Sequence, residues 1–174
     1  MSTKMTKLVL ALGAMVMTGG ALAQSYASAN ATASATVIKP LALAKTADLN
    51  FGTIVSGNAG GVVLFPNGGV GTSGAADIKY SSGATPAQFT ASGEAGMAFN
   101  LTLPRGGPGE DVTLSNGANG EMVVTAFASS IATSGATLGS DGTTLFKVGA
   151  TLNVAANQAV GAYTGAFSVS VDYN

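Results

Sequence analysis

Two stretches near the ends of the chain alternate strictly between apolar and polar residues. In the first, "YASANATASATVIKP" at residues 26–40, serine, threonine and asparagine separate a row of small apolar side chains. That row is Ala27, Ala29, Ala31, Ala33, Ala35 and Val37. In the second stretch, residues 162–173, the larger side chains of one face are Tyr163, Phe167, Val169, Val171 and Tyr173. A period of two residues predicts β-strands that place one face on a core.

Short β-rich runs occupy the sequence between these stretches and are separated by glycine, asparagine, serine and proline. The predicted strands are residues 31–38, 49–55, 61–65, 76–80, 87–91, 97–103, 111–115, 121–127, 144–154 and 162–173. Turn residues that accept positive φ lie between them, at Asn67-Gly68, Asn116-Gly117, Asn119-Gly120 and Asp141-Gly142. We therefore expect an all-β sandwich, with a hairpin around "NGANG" and the seven phenylalanines in the core.

The first 23 residues have the pattern of a cleaved signal peptide. Lys4 and Lys7 precede an apolar run of ten residues, Leu8 to Met17, and "ALA" precedes a cleavage site between Ala23 and Gln24. An uncleaved membrane anchor is the alternative, but ten residues are short for a bilayer that needs about 20. The sequence thus predicts a signal peptide at 1–23, an N-terminal extension at 24–38 and a sandwich domain at 39–174. We expect export through the inner membrane, first to the periplasm and then to the cell surface or an extracellular filament.

Composition narrows the possible functions. Cleavage of the signal peptide removes Lys4 and Lys7 and leaves five basic and eight acidic residues, a formal charge of −3. Because nucleic acid binding depends on basic residues, nucleic acid is not expected as a partner. The chain contains no cysteine and no histidine, which removes disulfides, thiol nucleophiles and the usual zinc ligands. Glu110 and Asp111 are adjacent carboxylates, but neighbours in a strand point to opposite faces. We expect no catalytic residues, no metal site and no cofactor.

Two segments carry a resemblance to a known family. "LNFGTI" and "KVGATLNVAANQAVGAYTGAFSVSVDYN" resemble the domain-of-unknown-function family 4402, which is similar to spore-coat-protein-U type and chaperone–usher pilin subunits. The most specific positions are Gln158, Gly161, Tyr163, Thr164 and Gly165, followed by alternating apolar residues. The resemblance covers most of residues 31–174. It implies an incomplete immunoglobulin-like sandwich whose missing strand comes from the N-terminal extension of the next subunit.

On this resemblance the protein is an exported, non-enzymatic subunit of a surface filament or coat, assembled by strand donation between copies. The alanine row from Ala27 to Ala35, with Val37, is the expected donor strand. The row from Tyr163 to Tyr173 is expected to form one wall of the acceptor groove. The implied partners are other copies or related pilin subunits, with a periplasmic chaperone and an outer-membrane usher. The alternative is a self-contained secreted sandwich, with Ala31–Ile38 as its first strand, that binds carbohydrate or another surface ligand through its loops.

Overall fold

The computed structural model describes residues 26–55, 57–74, 79–105, 112–117 and 120–174. The chain divides into two compact units, residues 1–36 and 37–174. The predicted signal peptide and its cleavage site at Ala23 and Gln24 lie outside the described residues. Within the described ranges there is no helix, and therefore none long and apolar enough to cross a membrane.

The second unit is a β-sandwich, as the sequence predicts. Its strands are β1 (Ala42–Ala47), β2 (Thr53–Val55), β3 (Gly60–Leu64), β4 (Val70–Gly74), β5 (Lys79–Ser82), β6 (Ala87–Ser92), β7 (Ala98–Thr102), β8 (Val112–Ser115), β9 (Glu121–Ser129), β10 (Ala136–Thr137), β11 (Thr143–Val154) and β12 (Ser170–Tyr173). A seven-stranded sheet has the order β1-β6-β11-β3-β4, with β9 paired to β11 and β8 paired to β9. A three-stranded sheet has the order β10-β7-β12, and β2 pairs with β5 separately. All ladders are antiparallel.

The long strand β11 organises the seven-stranded sheet. Its first half pairs with β6, its second half pairs with β3, and β9 lies along part of it with a register shift after Gly149. A Cβ atom at Gly149 would collide with the backbone of Leu64 and Phe65, so glycine allows the close approach of β3 there. Alternate residues of β6, namely Ala87, Phe89 and Ala91, are buried, which is the pattern of a half-buried strand.

The buried apolar side chains form two clusters. The first cluster is Phe51, Val62, Leu64, Val112, Met122, Val124, Ala150, Leu152 and Val154. The second cluster is Ala87, Phe89, Ala91, Phe99, Leu101, Leu138, Phe146 and Val148. Leu49, Phe127 and Phe167 pack against both clusters and therefore lie at the junction between them.

Several strands differ from the sequence-based predictions. Residues 31–38 are not a strand. Of the 162–173 stretch, only the last four residues belong to a ladder. A strand needs a hydrogen-bonded neighbour, which an alternating sequence alone does not supply. Strands β1 and β4, which the pattern did not predict, do have such neighbours. The expected core position of Phe65 is wrong, since this side chain is 49% exposed after the end of β3. The hairpin around "NGANG" is confirmed by the pairing of β8 with β9.

Candidate functional site

The C-terminal segment, residues 162–173, has one paired edge and one open edge. Asn174 N–H donates to the Ala98 carbonyl, and β12 pairs Asp172 with Asn100, so the even-numbered residues direct their backbone groups toward β7. Farther back, Thr164 exchanges both backbone hydrogen bonds with Ser115 of β8, at 2.9 and 3.0 Å. The even-numbered residues thus serve the paired edge at both ends of the segment.

The odd-numbered residues of the segment present their backbone groups to the opposite edge. In an antiparallel ladder the backbone groups of successive residues alternate between the two sides, so the backbone N–H and C=O groups of Gly165, Phe167 and Val169 face the side opposite β7 and β8. Among the described residues, none forms a ladder with these three positions. This edge therefore offers unpaired N–H and C=O groups in the position where another strand could add.

An open apolar cleft of about 1050 Å³ lies beside this edge. One wall is residues 158–167, and the other wall is residues 48–55. The floor consists of side chains from the first cluster, including Met122, Val124 and Leu152. The cleft thus reaches the core of the sandwich between two segments that are not hydrogen-bonded to each other by any ladder in the described chain.

Three phenylalanines form the inner end of the cleft. The ring centroids of Phe127 and Phe167 are 5.1 Å apart, and those of Phe89 and Phe167 are 6.4 Å apart in an edge-on arrangement. The cleft lining stops at Phe167. Beyond it, Val169 and Val171 pack against the second cluster. The cleft is therefore bounded by aromatic packing at the Phe167 end, whereas the opposite ends of its two walls carry the exposed side chains of Val55 and Val160.

The turn at Asn50-Phe51-Gly52 shapes the wall opposite the C-terminal segment. Asn50 exchanges two backbone hydrogen bonds with Thr85, and its Oδ1 accepts a hydrogen bond from the Gly52 N–H at 2.8 Å. Gly52 has a φ of 74°, which favours glycine. This fixed turn buries Phe51 in the first cluster and at the cleft. The "NFG" landmark of the sequence is thus a wall of the cleft.

The residues around Gln158 and Tyr163 fix the other wall where it begins. Gln158 Nε2 donates to the Tyr163 hydroxyl at 2.8 Å and lies 3.2 Å from the carbonyl of Glu121. The Tyr163 hydroxyl donates to the carbonyl of Ala159 at 2.7 Å. Gly161, with a φ of 151°, lies inside this loop. The polar residues of the C-terminal motif therefore hold the loop from β11 into the C-terminal segment in one shape.

The predicted acceptor residues divide between two places. Tyr163 and Phe167 line the cleft. Val169, Val171 and Tyr173 pack against the second cluster and are not part of the cleft lining. The sequence predicts all five on one face, and in the structure all five are half-buried while the residues between them are exposed. It did not indicate the cleft-wall roles of Phe51 and Gln158, although the "NFG" and C-terminal landmarks contain them.

The predicted donor residues lie mostly in the first unit. Residues 26–36 have no regular secondary structure and are exposed, including Ala27, Ala29, Ala31, Ala33 and Ala35. Val37, which begins the second unit, is 94% exposed. The row of small side chains has no ladder neighbour among the described residues.

The ionisable groups of the described ranges were compared with the requirements of a metal site. No group of three or more carboxylate, histidine or cysteine side chains there could hold a metal ion. At the turn before β11, the hydroxyl and then the N–H of Thr143 donate to Asp141, at 2.6 and 2.9 Å, and these hydrogen bonds lower the pKa of the carboxyl. Asp141 is part of a surface turn and does not line the cleft.

Comparison with known proteins gives a family for this chain. No curated protein and no solved structure matches it significantly. A family model described as a domain of unknown function, DUF4402, matches residues 41–173, which include both walls of the cleft and both sequence landmarks. The chain belongs to the DUF4402 family.

Proposed function

We propose that this protein is an exported structural subunit of a surface filament or coat, and that each copy inserts its N-terminal extension into the cleft of the next. The observation that carries this proposal is the open apolar cleft beside the unpaired backbone edge of Gly165 and Phe167. Strand addition needs both features, because main-chain hydrogen bonds supply affinity and alternate side chains fill the groove.

The side chains of the extension suit a strand that occupies the cleft. Its alanine row places small apolar side chains on one face, and its opposite face is hydroxyl or amide. Each buried methyl group contributes roughly 0.8 kcal/mol, and each main-chain hydrogen bond contributes about 0.5 to 1.5 kcal/mol. The ladder would therefore supply as much affinity as the side chains. The polar side chains of its opposite face can remain in contact with water after the strand has been added.

The positions of the extension root, residues 37–39, and of the cleft support head-to-tail assembly. The Tyr173 hydroxyl donates to the Lys39 carbonyl at 2.9 Å, so the chain enters the domain beside the end of the C-terminal segment. The open end of the cleft lies near Tyr163, ten residues earlier in the segment, or about 30 Å at the rise of an extended strand. A donor at one end and an acceptor at the other give a heterologous contact, which extends into a filament when it does not close.

An unfilled cleft also implies assistance during export. Exposed core side chains and an unpaired edge are a site for unwanted strand pairing. A periplasmic chaperone that covers the cleft, and an usher that releases the subunit at the outer membrane, are the partners that this surface would need.

The test is assembly of the secreted chain with charges on one face of the extension. Replacing Ala31→Asp and Ala33→Asp should abolish oligomers measured by light scattering and electron microscopy, because both carboxylates would enter the apolar cleft. The matched control places the same charges on the other face, with Thr32→Asp and Ser34→Asp, and should still assemble. Equal assembly of both double variants would contradict the proposal.

The self-contained secreted sandwich makes the opposite prediction for the wild-type chain. It predicts a stable monomer in which neither double variant changes the state of association. A monomeric wild type with unchanged variants would favour a ligand-binding domain over a filament subunit.

A further inference from the structure

Four of the large apolar residues that are markedly exposed lie at two places in the second unit. At the extension root, Val37 is 94% exposed and Ile38 is 40% exposed. At the open end of the cleft, Val55 is 55% exposed on one wall and Val160 is 95% exposed on the other. Isolated exposed valines are common on protein surfaces. Two pairs at the donor root and at the acceptor mouth, however, are suited to each other.

Val160 is presented by a loop that hydrogen bonds hold in place. On either side of it, the Ala159 carbonyl accepts from the Tyr163 hydroxyl, and Gln158 is bonded to the same hydroxyl. Val55 ends β2, which is paired with β5. The backbone at both valines is therefore held before any partner arrives, so that docking would cost little loop entropy at these positions.

The shape of the cleft sets the direction in which a strand can enter. The inner end is closed by Phe89, Phe127 and Phe167, and the donor's own domain follows its residue 38, so a bound donor lies with its N-terminal residues toward the inner end. Its last residues then remain at the mouth. Val37 is the final member of the alanine row, and it is the position at which the inward-facing side chain changes from a methyl to a larger isopropyl group.

We propose that Val37 of one copy packs between Val55 and Val160 of the next copy and seals the mouth of the cleft. This inference rests on the proposed strand donation and assigns a specific contact to the last position of the donor row. The contact would fix the depth to which the extension enters, because the larger side chain meets both walls at once. It would also bring the root of one domain against the end of the next.

Cysteine cross-linking tests the seal directly, since the chain contains no cysteine. Full chains that carry Val37→Cys are mixed with full chains that carry Val160→Cys or Val55→Cys, assembled, and oxidised. A disulfide needs Cα atoms within about 7 Å, so a mixed dimer identified by mass spectrometry would place the two positions together. The matched control is Leu145→Cys, an apolar position on β11 that is 56% exposed and not in the cleft lining.

A second pair separates failure of the seal from failure of strand donation. Chains with Ala31→Cys are mixed with chains that carry Ala166→Cys, which lines the cleft six residues after Val160, just as Ala31 lies six residues before Val37. We expect cross-links from this pair and from Val37→Cys with a mouth valine, and none with Leu145→Cys. Cross-links within the cleft without any at the mouth would overturn the seal and leave strand donation standing. No cross-link from either set would overturn both.

Discussion

The hydroxyl of Tyr173 joins two parts of the chain that are 134 positions apart in sequence, by donating to the Lys39 carbonyl at 2.9 Å. The same oxygen accepts a hydrogen bond from the Glu94 N–H at 2.7 Å. The penultimate residue therefore ties the root of the extension to the end of the C-terminal segment. Gly93, which precedes Glu94, leaves the space for this hydroxyl, because a Cβ atom there would collide with it.

Removing this hydroxyl should destabilise the domain. Tyr173→Phe keeps the ring against the second cluster but leaves the Glu94 N–H without its acceptor, so we expect a loss of about 1 to 2 kcal/mol in the free energy of unfolding, measured in urea. The variant Tyr173→Leu should lose more, because it also removes aromatic packing. Unchanged stability in Tyr173→Phe would show that the hydroxyl has no structural role.

The hydrogen bond between Gln158 and Tyr163 should appear as a coupling energy. Gln158→Leu and Tyr163→Phe each remove one side of the 2.8 Å contact, and each should cost about 1 kcal/mol in the free energy of unfolding. Because either change breaks the same contact, the double variant should be less destabilised than the sum, by about 0.5 to 1 kcal/mol. Strictly additive losses would mean that the two side chains act independently.

The glycine at position 165 should resist substitution. A Cβ atom there would collide with the Thr113 carbonyl and lie 2.8 Å from Leu114 Cδ2, so Gly165→Ala must push the C-terminal segment away from β8. We expect a loss of about 1 to 3 kcal/mol in unfolding free energy. Gly57→Ala is the matched control, because nothing lies within 4 Å of its added methyl group. Equal stability of the two variants would refute the close approach.

The carboxyl of Asp141 should titrate with a pKa below the ordinary aspartate value of 3.8, since the Thr143 hydroxyl and N–H stabilise the charged form. A lowered folded pKa means that this contribution to stability is present above pH 3.8 and is lost as the pH falls through the folded pKa. Thr143→Val should raise the Asp141 pKa toward 3.8, and Thr143→Ser should retain most of the shift. Titration followed by NMR measures both; a pKa that is the same in all three proteins would contradict this cause.

The period-two patterns were sufficient to predict an all-β sandwich and most of its central strands. Strands β6, β7, β9 and β11 coincide with runs that alternate or are continuously apolar, because burial on one or both faces of a sheet imposes those patterns. Strand β1 has the sequence "ALAKTA", with only part of its surface covered, so its pattern is weak. It is a strand because β6 supplies its hydrogen bonds.

The amino-acid sequence by itself determined which residues alternate: the alanine row of the extension and the apolar row from Tyr163 to Tyr173. Tertiary structure alone decided which part of each row has a neighbour. Val171 and Tyr173 pack beside β7 against the second cluster, whereas Tyr163 and Phe167 border an open cleft. The reason is physical: alternation is a local property of one strand, but the presence or absence of a hydrogen-bonded neighbour depends on the path of distant segments.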